Sequence, residues 1–459
     1  MSRYVRVLFF LLTLLINLNC SKDDTPAPTP DSREEPKQEE PSESESEVYF
    51  TLNVDNAYES APPGSEEINN WIFIHDENGG LLDYKKFENG SNIVFETSDL
   101  QMPANLTVTI FHHYFRLNEF RHEFETFPGI AKGSEWFLNT YKLEPSGAIL
   151  NGTFNQTINN IPNPNVGIPY FSLSTNVAPA LPENVSVSSP ISGKTSMEIQ
   201  NIRLIQDKDY LLFVEDGENK NLRYTFFAPS DMGDTSPINF ENLEPVNFTA
   251  KIISPPSNLK FFSARALDEG QTYRNSGYSL IEPGTIKSHP LNISTDQSYI
   301  QIPILERFTK YQITAQVQLP DYKWYYVKQG ENPMDVSVPD KPMVTFLNDA
   351  ISDFEIITDL EYGHKISSWS VRNDEGDGTT GLTLRKIHST STAYPILGEI
   401  PEEFVSMYPK IDLENMVYAF TDFYLRSETY SEFIFNSYEA NQDRWNQDLE
   451  LEYITLFKE

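Results

Sequence analysis

The stretch Ile68–Gly80 decides the fold, and it has the sequence Ile-Asn-Asn-Trp-Ile-Phe-Ile-His-Asp-Glu-Asn-Gly-Gly. Within it, Trp71, Phe73 and His75 alternate with two isoleucines and run directly into an Asp/Asn/Gly cluster. Alternating large side chains that end in such a cluster indicate a β-strand that enters a hairpin turn. Glycine suits that turn because it adopts positive φ at little steric cost.

The same pattern returns near the other end of the chain, at Ile366–Gly378. Trp71 aligns with Trp369 without a gap, and weaker versions of the same apolar step place Phe171 and Phe262 between them. These four aromatic anchors are 100, 91 and 107 residues apart, which is the size of one small domain each. We therefore predict four repeats, in which Trp71 and Trp369 are equivalent residues of the core.

Strand and turn patterns fill the chain after Val48. Short alternating runs separated by Gly, Pro, Asn and Asp are typical of β-sandwiches, and no stretch has a sustained helical period. The predicted fold class is therefore all-β, with about four tandem immunoglobulin-like β-sandwich modules after a disordered tether. The predicted modules are residues 48–146, 147–245, 246–352 and 353–459.

Each module is predicted to contain a late hairpin. These hairpins are Thr107–Phe127, Tyr210–Phe227, Tyr311–Val327 and Val417–Phe435. A short helical insertion is predicted at Pro401–Tyr408, because two glutamates there would favour the first turn of a helix.

The N-terminal residues 1–19 are predicted to be a signal peptide, because two arginines precede an apolar run too short to span a bilayer. Cys20 follows and is the only cysteine, which excludes a disulfide framework within one copy. Residues 20–47 are rich in Pro, Ser and Glu and contain no large apolar side chain. Such a stretch cannot bury enough surface to fold, so it is predicted to be a disordered acidic tether.

This N-terminus resembles that of bacterial lipoproteins, in which the cysteine after the signal is acylated. The following residues, Ser-Lys-Asp-Asp, resemble the signal that exports Bacteroidetes lipoproteins to the outside of the outer membrane. The resemblance implies lipidation of Cys20, an export signal formed by Lys22, Asp23 and Asp24, and a lipid-anchored location facing the cell exterior. It covers only the first 24 residues. The alternative is a structural cysteine after an ordinary signal.

The charge of the chain argues against nucleic acid as a partner. The formal net charge is −33, and removing the signal's +2 and the tether's −7 leaves −28 for the remaining residues. A body this acidic repels phosphate backbones. The lipoprotein resemblance implies the outer membrane as a partner, through the lipid, and a surface protein or polysaccharide is the other expected partner.

One hairpin carries consecutive aromatic residues, Tyr322-Lys323-Trp324-Tyr325-Tyr326. Side chains alternate along a strand, so Tyr322, Trp324 and Tyr326 point to one face, and Tyr325 points to the other. Exposed rings could stack on a glycan, and contact between modules would use them equally well. These four aromatic residues are the candidate glycan-stacking residues, and Tyr325 is the candidate if Trp324 faces the core.

Histidines and acidic turns are the candidate metal ligands. His113 and His122 are predicted to pair across a hairpin with His112 on the other face, which would supply half of a zinc site or an aromatic ladder. The segment Asn373–Gly378 resembles the start of an EF-hand loop, but Leu384 stands where an acidic ligand is needed. Solvated turns and an aromatic ladder are the preferred interpretations, so no metal or other cofactor is predicted.

Enzyme motifs are missing. The chain lacks the Ser-nucleophile elbow, His-Glu-x-x-His, and the phosphate and dinucleotide loops. The leading prediction is a non-enzymatic cell-surface lipoprotein that serves adhesion, scaffolding or assembly. The alternative is a glycan-binding accessory lipoprotein of a nutrient-uptake system, because the layout of tether and tandem β modules resembles that of Bacteroidetes starch-binding lipoproteins. The third class is an enzyme on a β scaffold.

Overall fold

A computed structural model of the chain describes residues 46–98, 102–139, 150–163, 167–177, 184–230, 233–252, 259–269, 277–281, 299–331, 338–374, 378–390, 394–425, 429–440 and 450–457. The chain divides into Met1–Glu45 and Ser46–Glu459, and only the second unit contains described residues. In these ranges the regular structure is almost entirely strand, with α-helices at Glu402–Met407 and Tyr430–Ile434. The prediction of an all-β fold is confirmed, as is that of a helix within Pro401–Tyr408.

The strands are β1 (Glu47–Val54), β2 (Glu66–His75), β3 (Leu81–Phe87), β4 (Asn92–Thr97), β5 (Asn105–Arg116), β6 (Glu119–Ala131), β7 (Ser134–Leu138), β8 (Leu150–Pro162), β9 (Phe171–Ser174), β10 (Asn184–Val187), β11 (Lys194–Ile205), β12 (Tyr210–Glu215), β13 (Leu222–Phe227), β14 (Ile238–Asn239), β15 (Glu244–Pro245), β16 (Asn247–Ile252), β17 (Leu259–Leu267), β18 (Tyr278–Ile281), β19 (Tyr299–Ile304), β20 (Lys310–Gln318), β21 (Tyr322–Gly330), β22 (Val344–Asn348), β23 (Glu355–Thr358), β24 (His364–Asp374), β25 (Thr380–Ser389), β26 (Val417–Tyr424) and β27 (Glu450–Phe457).

Twelve strands form one continuous sheet, the long sheet, in the order β18-β17-β20-β21-β27-β26-β24-β25-β6-β5-β2-β3. All neighbours are antiparallel except β25 and β6, which run parallel. Residues paired across strands point to the same face. The register therefore places Trp71 and Trp369 on one face, the front face, and Tyr325 and His364 on the other, the back face.

Within the described residues, five smaller sheets accompany the long sheet, with the orders β4-β1-β7, β10-β11-β8-β14, β15-β13-β12-β9, β16-β19 and β22-β23. The sheet β4-β1-β7 packs on the back face, where Phe50, Phe95 and Trp136 form a core with Ile72 and Ile74. The two four-stranded sheets pack on each other around residues such as Met197. Strand alternation supplies these cores, because every second side chain of a strand points inward.

The four aromatic anchors all lie in strands. Trp71 is in β2, Phe171 in β9, Phe262 in β17 and Trp369 in β24. The orders β3-β2-β5-β6, β18-β17-β20-β21 and β25-β24-β26-β27 recur along the long sheet, and the anchor strand is the second member of each. For three of the four anchors the spacing therefore marks a repeated position in the strand order, whereas Phe171 lies in β9, at the edge of its own sheet.

The prediction that Trp71 and Trp369 are equivalent core residues is wrong. Trp369 is fully buried and packs against Phe354, which precedes β23. Trp71 is half-buried on the side of β2 that faces away from β1, where it contacts Phe404. In the same strand, Ile72 points into the core formed with β1, whereas Phe73, on the Trp71 face, is fully buried beneath Phe404. A gapless alignment detects the strand but does not fix which face each module buries.

One predicted hairpin is also wrong. In the described residues of the expected hairpin Val417–Phe435, β26 is the strand present, and the chain forms the helix Tyr430–Ile434 where a second strand was expected. Thr429 caps this helix in a capping box with Glu432. These reciprocal bonds satisfy backbone donors that a helix start otherwise leaves free. The partner of β26 is β27, near the end of the chain.

Candidate functional site

Three of the four candidate glycan-stacking residues lie in the core. Tyr322, Trp324 and Tyr326 point to the front face of β21 and are 2%, 0% and 4% exposed. The Trp324 indole donates its Nε1–H to Glu452 Oε1 at 2.9 Å, and its ring stacks on Tyr326 at 5.6 Å. Buried rings cannot stack on a glycan. Tyr325, on the back face, is the one candidate of the four that stays partly exposed.

Tyr325 belongs to a row of tyrosines on the back face, which we call the tyrosine surface. It consists of Tyr325, Tyr453 and Tyr424 from three adjacent strands, and all three are partly exposed. The ring centroids are 5.2 Å and 5.4 Å apart. Neighbouring rings at this separation contact one another, with their planes tilted by 34° and 33°.

A polar row runs beside the tyrosine surface. Lys323, Thr455 and Asp422 pair across the same three strands, and the Lys323 ammonium lies 5.9 Å from the Tyr453 ring centroid. Burial raises the pKa of the Asp422 carboxyl to about 6, against the lowering effect of its hydrogen bond from Thr455. This patch can donate and accept hydrogen bonds, so it suits a polyol or a polar protein surface.

The predicted histidine hairpin is confirmed residue by residue. Phe111 pairs with Phe124, His113 with His122, and Phe115 with Phe120. The turn is tighter than expected, because Arg116 also pairs with Glu119 and leaves a two-residue turn. In that turn, Leu117 and Asn118 both have positive φ, of 52° and 62°. That backbone matches the twist of a tight hairpin.

The His113–His122 pair forms part of an aromatic ladder. The two Nδ1 atoms are 3.1 Å apart, and the His113 ring lies 4.7 Å from the Tyr408 ring. Burial lowers the pKa of His113 to about 4 and, with the nearby His113 charge, that of His122 to about 3. Among the described residues no group of three or more His, Cys, Asp or Glu side chains could hold a metal.

The turn after Trp71 uses its acidic residue for its own backbone. Asp76 Oδ1 accepts hydrogen bonds from the backbone N–H of Asn78 and of Gly80, both at 2.8 Å. Gly79 has φ of 83°, as the turn requires. In the related turn, Glu375 and Asp377 of the EF-hand-like segment lie outside the described residues.

The lipidation and export residues, Cys20, Lys22, Asp23 and Asp24, also lie outside the described residues. In the part of the chain that the structure describes, no helix is long and apolar enough to cross a membrane. The N-terminal assignments therefore stay predictions.

A joint between distant parts of the chain is the feature that the sequence did not reveal. Strand β25 pairs with β6 over eight residue positions, from Thr380 with Glu119 to Ile387 with Thr126. Beside it, Arg372 contacts Glu119 at 2.7 Å. We call this parallel pairing the β6–β25 joint.

Two segments cover the two faces at this joint. Residues 394–413, the front segment, pack Phe404 and Tyr408 on the front face of β2, β5 and β6. The Trp71 indole donates its Nε1–H to the Tyr408 hydroxyl at 2.8 Å, and the Tyr84 hydroxyl donates to Glu403 at 2.8 Å. These contacts explain why Trp71 is sheltered without lying in a sandwich core.

Residues 429–440, the back segment, cover the opposite face. Tyr438 stacks on Trp136 at 4.4 Å, and Tyr430 donates its hydroxyl to the Pro128 carbonyl at 2.9 Å. Between the segment and the sheet, the His388 imidazole pairs with Glu125 at 2.9 Å. Burial alone would raise the pKa of Glu125, but the hydrogen bond and charge of His388 lower it to about 2.

Comparison with family models and with curated proteins found no match to this chain.

Proposed function

We propose that the protein is a non-enzymatic, lipid-anchored scaffold of the outer cell surface that serves adhesion or assembly. In this proposal Cys20 carries the lipid, and residues 20–47 hold the folded part away from the membrane. The folded part consists of four immunoglobulin-like β-sandwich modules with the predicted boundaries.

The β6–β25 joint is the observation that carries the proposal. Modules connected only by linkers move independently, whereas modules that share strand pairing move as one body. Here the first group of strands, β3-β2-β5-β6, and the last group, β25-β24-β26-β27, share a parallel ladder. Both faces of that ladder are covered by the front and back segments. A second antiparallel joint, between β21 and β27, extends the same sheet. A stiff plate of this kind transmits force and fixes distances, as a scaffold or adhesin must.

The anchor is tested by the Cys20→Ala variant. We expect loss of labelled fatty acid from the protein and release from the membrane fraction, because the acyl chains provide the hydrophobic attachment. A matched Ser21→Ala variant should keep the lipid. Fatty acid that remains on the Cys20→Ala protein would contradict the lipoprotein assignment.

The side of the membrane is tested by replacing Lys22, Asp23 and Asp24 with alanine. We expect the lipid to be retained, while external protease on whole cells no longer reaches the protein. The control replaces Asp31, Glu34 and Glu35 of the tether with alanine and should remain accessible. Unchanged accessibility of the first variant would refute the export assignment.

The function is tested by two readouts in a strain that lacks the protein. The scaffold proposal expects loss of cell attachment or surface assembly, restored by the wild-type chain and not by the Cys20→Ala chain. Growth on polysaccharides as carbon sources should be unchanged. Normal attachment together with lost growth on a polysaccharide would favour the glycan-uptake alternative.

That alternative has one specific observation in its favour, the tyrosine surface with its adjacent Lys323 and Asp422. Its test is binding of soluble polysaccharides to the full chain and to the Tyr325→Ala variant. Because Tyr325 is on the surface, its removal should leave the fold intact. Binding that disappears in this variant would support glycan capture at this surface.

A further inference from the structure

A cleft of about 440 Å³ opens beside the edge strand β3. Its walls are the loop between β1 and β2, the start of β2, and the end of β3. The volume lies within the range of about 300–1,000 Å³ that is typical of small-ligand sites. Among the predicted site residues that the structure describes, none lines this cleft.

The backbone of β2 is distorted where it lines the cleft. The pairing of β2 with β5 shifts register between Glu66 and Asn69, and Glu67 has φ of 52°. A residue with a side chain rarely adopts this conformation, and bulges of this kind re-aim neighbouring side chains next to binding sites. Here the bulge leaves Ile68 48% exposed in the cleft wall. The exposed isoleucine adds nothing to the core, whereas a ligand would cover it.

A buried amide points into the same cleft. Asn70 is only 5% exposed, and its Oδ1 accepts a hydrogen bond from His112 Nδ1–H at 2.8 Å. The Tyr58 hydroxyl donates to the other ring nitrogen of His112 at 3.4 Å. Burial lowers the pKa of His112 to about 4, so the neutral ring holds both partners at ordinary pH. The Asn70 NH₂ group makes no hydrogen bond to any residue in the described ranges, which leaves a fixed donor for a ligand.

The loop that forms the outer wall is held in place before any ligand binds. Asn89 Nδ2–H donates to the Tyr58 carbonyl at 2.8 Å and to the Asn56 carbonyl at 3.3 Å. Asp55 Oδ1 accepts from the Ala57 backbone N–H at 2.7 Å. A pre-organised wall lowers the entropy that binding would cost.

The charges of the lining decide the class of ligand. Lys86 is the lining cation, and it is accompanied by Glu59 and Glu88. This mixture does not favour an anion, and the acidic chain as a whole repels one. A saccharide matches the cleft because its C–H face can cover Ile68. Its hydroxyls can also accept from the Asn70 amide and donate to the glutamates.

We propose that this cleft binds a neutral saccharide unit, with Ile68 as the apolar platform and the Asn70 amide as the fixed donor. The site goes beyond the scaffold function, because it lies on the edge of the first group of strands and uses neither the lipid nor the β6–β25 joint. A surface protein with such a cleft can hold a glycan while its sheet keeps its shape.

The test is saturation-transfer NMR and calorimetry on the full chain purified in detergent. The probes are maltohexaose, cellohexaose, xylohexaose and mannohexaose, with dextran sulfate as an anionic probe and decaproline as a peptide probe. The variants are Ile68→Ser, whose side chain is already exposed, and Asn70→Asp, which keeps the shape and removes the donor. The matched control is Ile357→Ser, at another exposed isoleucine.

We expect at least one neutral hexasaccharide to bind the wild type, with at least tenfold weaker binding to Ile68→Ser and to Asn70→Asp. Ile357→Ser and Tyr325→Ala should bind as the wild type does. The proposal is overturned if no neutral hexasaccharide binds or if the Ile68→Ser variant binds equally well. It is also overturned if only Tyr325→Ala loses binding, or if only dextran sulfate or decaproline binds. Attachment of cells in the scaffold test is a separate readout, so either proposal can fail alone.

Discussion

Acid should destabilise the first group of strands through the buried pair His113 and His122. Both side chains are almost fully buried, and the pKa of each is lowered, to about 4 and about 3. A histidine in an unfolded chain has a pKa of about 6.5. Below that pH the unfolded chain takes up protons that the folded chain does not. Stability is therefore lost as the pH falls from about 6.5 towards about 4, and it stops changing below the folded pKa values.

The size of the effect follows from these shifts. Between pH 7 and pH 5, each of His113 and His122 should cost the fold roughly 2 kcal/mol, or about 4 kcal/mol for the pair. The perturbation is the double variant His113→Phe and His122→Phe. It replaces both partners of one hydrogen bond by rings of similar shape and removes the buried, unpaired Nε2 of His122. Such paired replacement is close to neutral at pH 7.

The assay is urea unfolding of the full chain at pH 7 and pH 5 at constant ionic strength, followed by circular dichroism and tryptophan fluorescence. The double variant should lose about 4 kcal/mol less than the wild type between the two pH values. The comparison uses the difference between pH values, so a constant packing cost of the larger rings cancels. An equal loss in both proteins would refute the assignment of neutral buried histidines.

Two further predictions concern packing and capping. Trp369→Ala should lower the free energy of unfolding by about 3–5 kcal/mol, and Trp71→Ala should cost clearly less because Trp71 is only half-buried beneath Tyr408. Equal costs would contradict the difference in burial between the two tryptophans. Thr429→Ala should lower the free energy of unfolding by about 1 kcal/mol, because it removes the helix N-cap. The control Ser431→Ala, in the same turn, should change it by less than about 0.5 kcal/mol. A Thr429→Ala variant as stable as the wild type would show that the cap does not hold the back segment.

Local strand structure could be predicted from the sequence because it depends on neighbours along the chain. The His113–His122 register followed from alternation and one turn, and it is confirmed. The helix at Tyr430–Ile434 was also readable, because Thr429 and Glu432 have the spacing of a capping box. It was missed because the repeat pattern predicted a strand there.

The faces of the strands could not be predicted in the same way. Trp71 and Trp369 occupy matching positions in matching strands, yet only Trp369 faces a second sheet. The difference arises from the parallel β6–β25 joint and from the front segment, which comes from more than 300 residues further along the chain than Trp71. No local pattern encodes a contact at that separation.

The candidate site, too, could be predicted only in part from the sequence. Alternation correctly separated Tyr325 from Trp324, but the neighbours of Tyr325 come from β26 and β27, more than 90 residues away. The cleft beside β3 could not be located from the sequence. Glu67 in left-handed backbone and the exposed Ile68 are visible only once the register of β2 with β5 is known.

The most direct test of the rigid plate is hydrogen exchange of the full chain, followed by mass spectrometry of peptides that cover 119–126 and 380–387. Exchange protection reports the free energy of local opening. If the β6–β25 joint holds the first and last groups of strands as one body, these peptides should exchange as slowly as those covering Asn105–Arg116 and Lys310–Gln318, which lie within single groups. Rapid exchange at 119–126 and 380–387, while the other two peptides stay protected, would mean that the groups move as separate modules and would contradict the scaffold account.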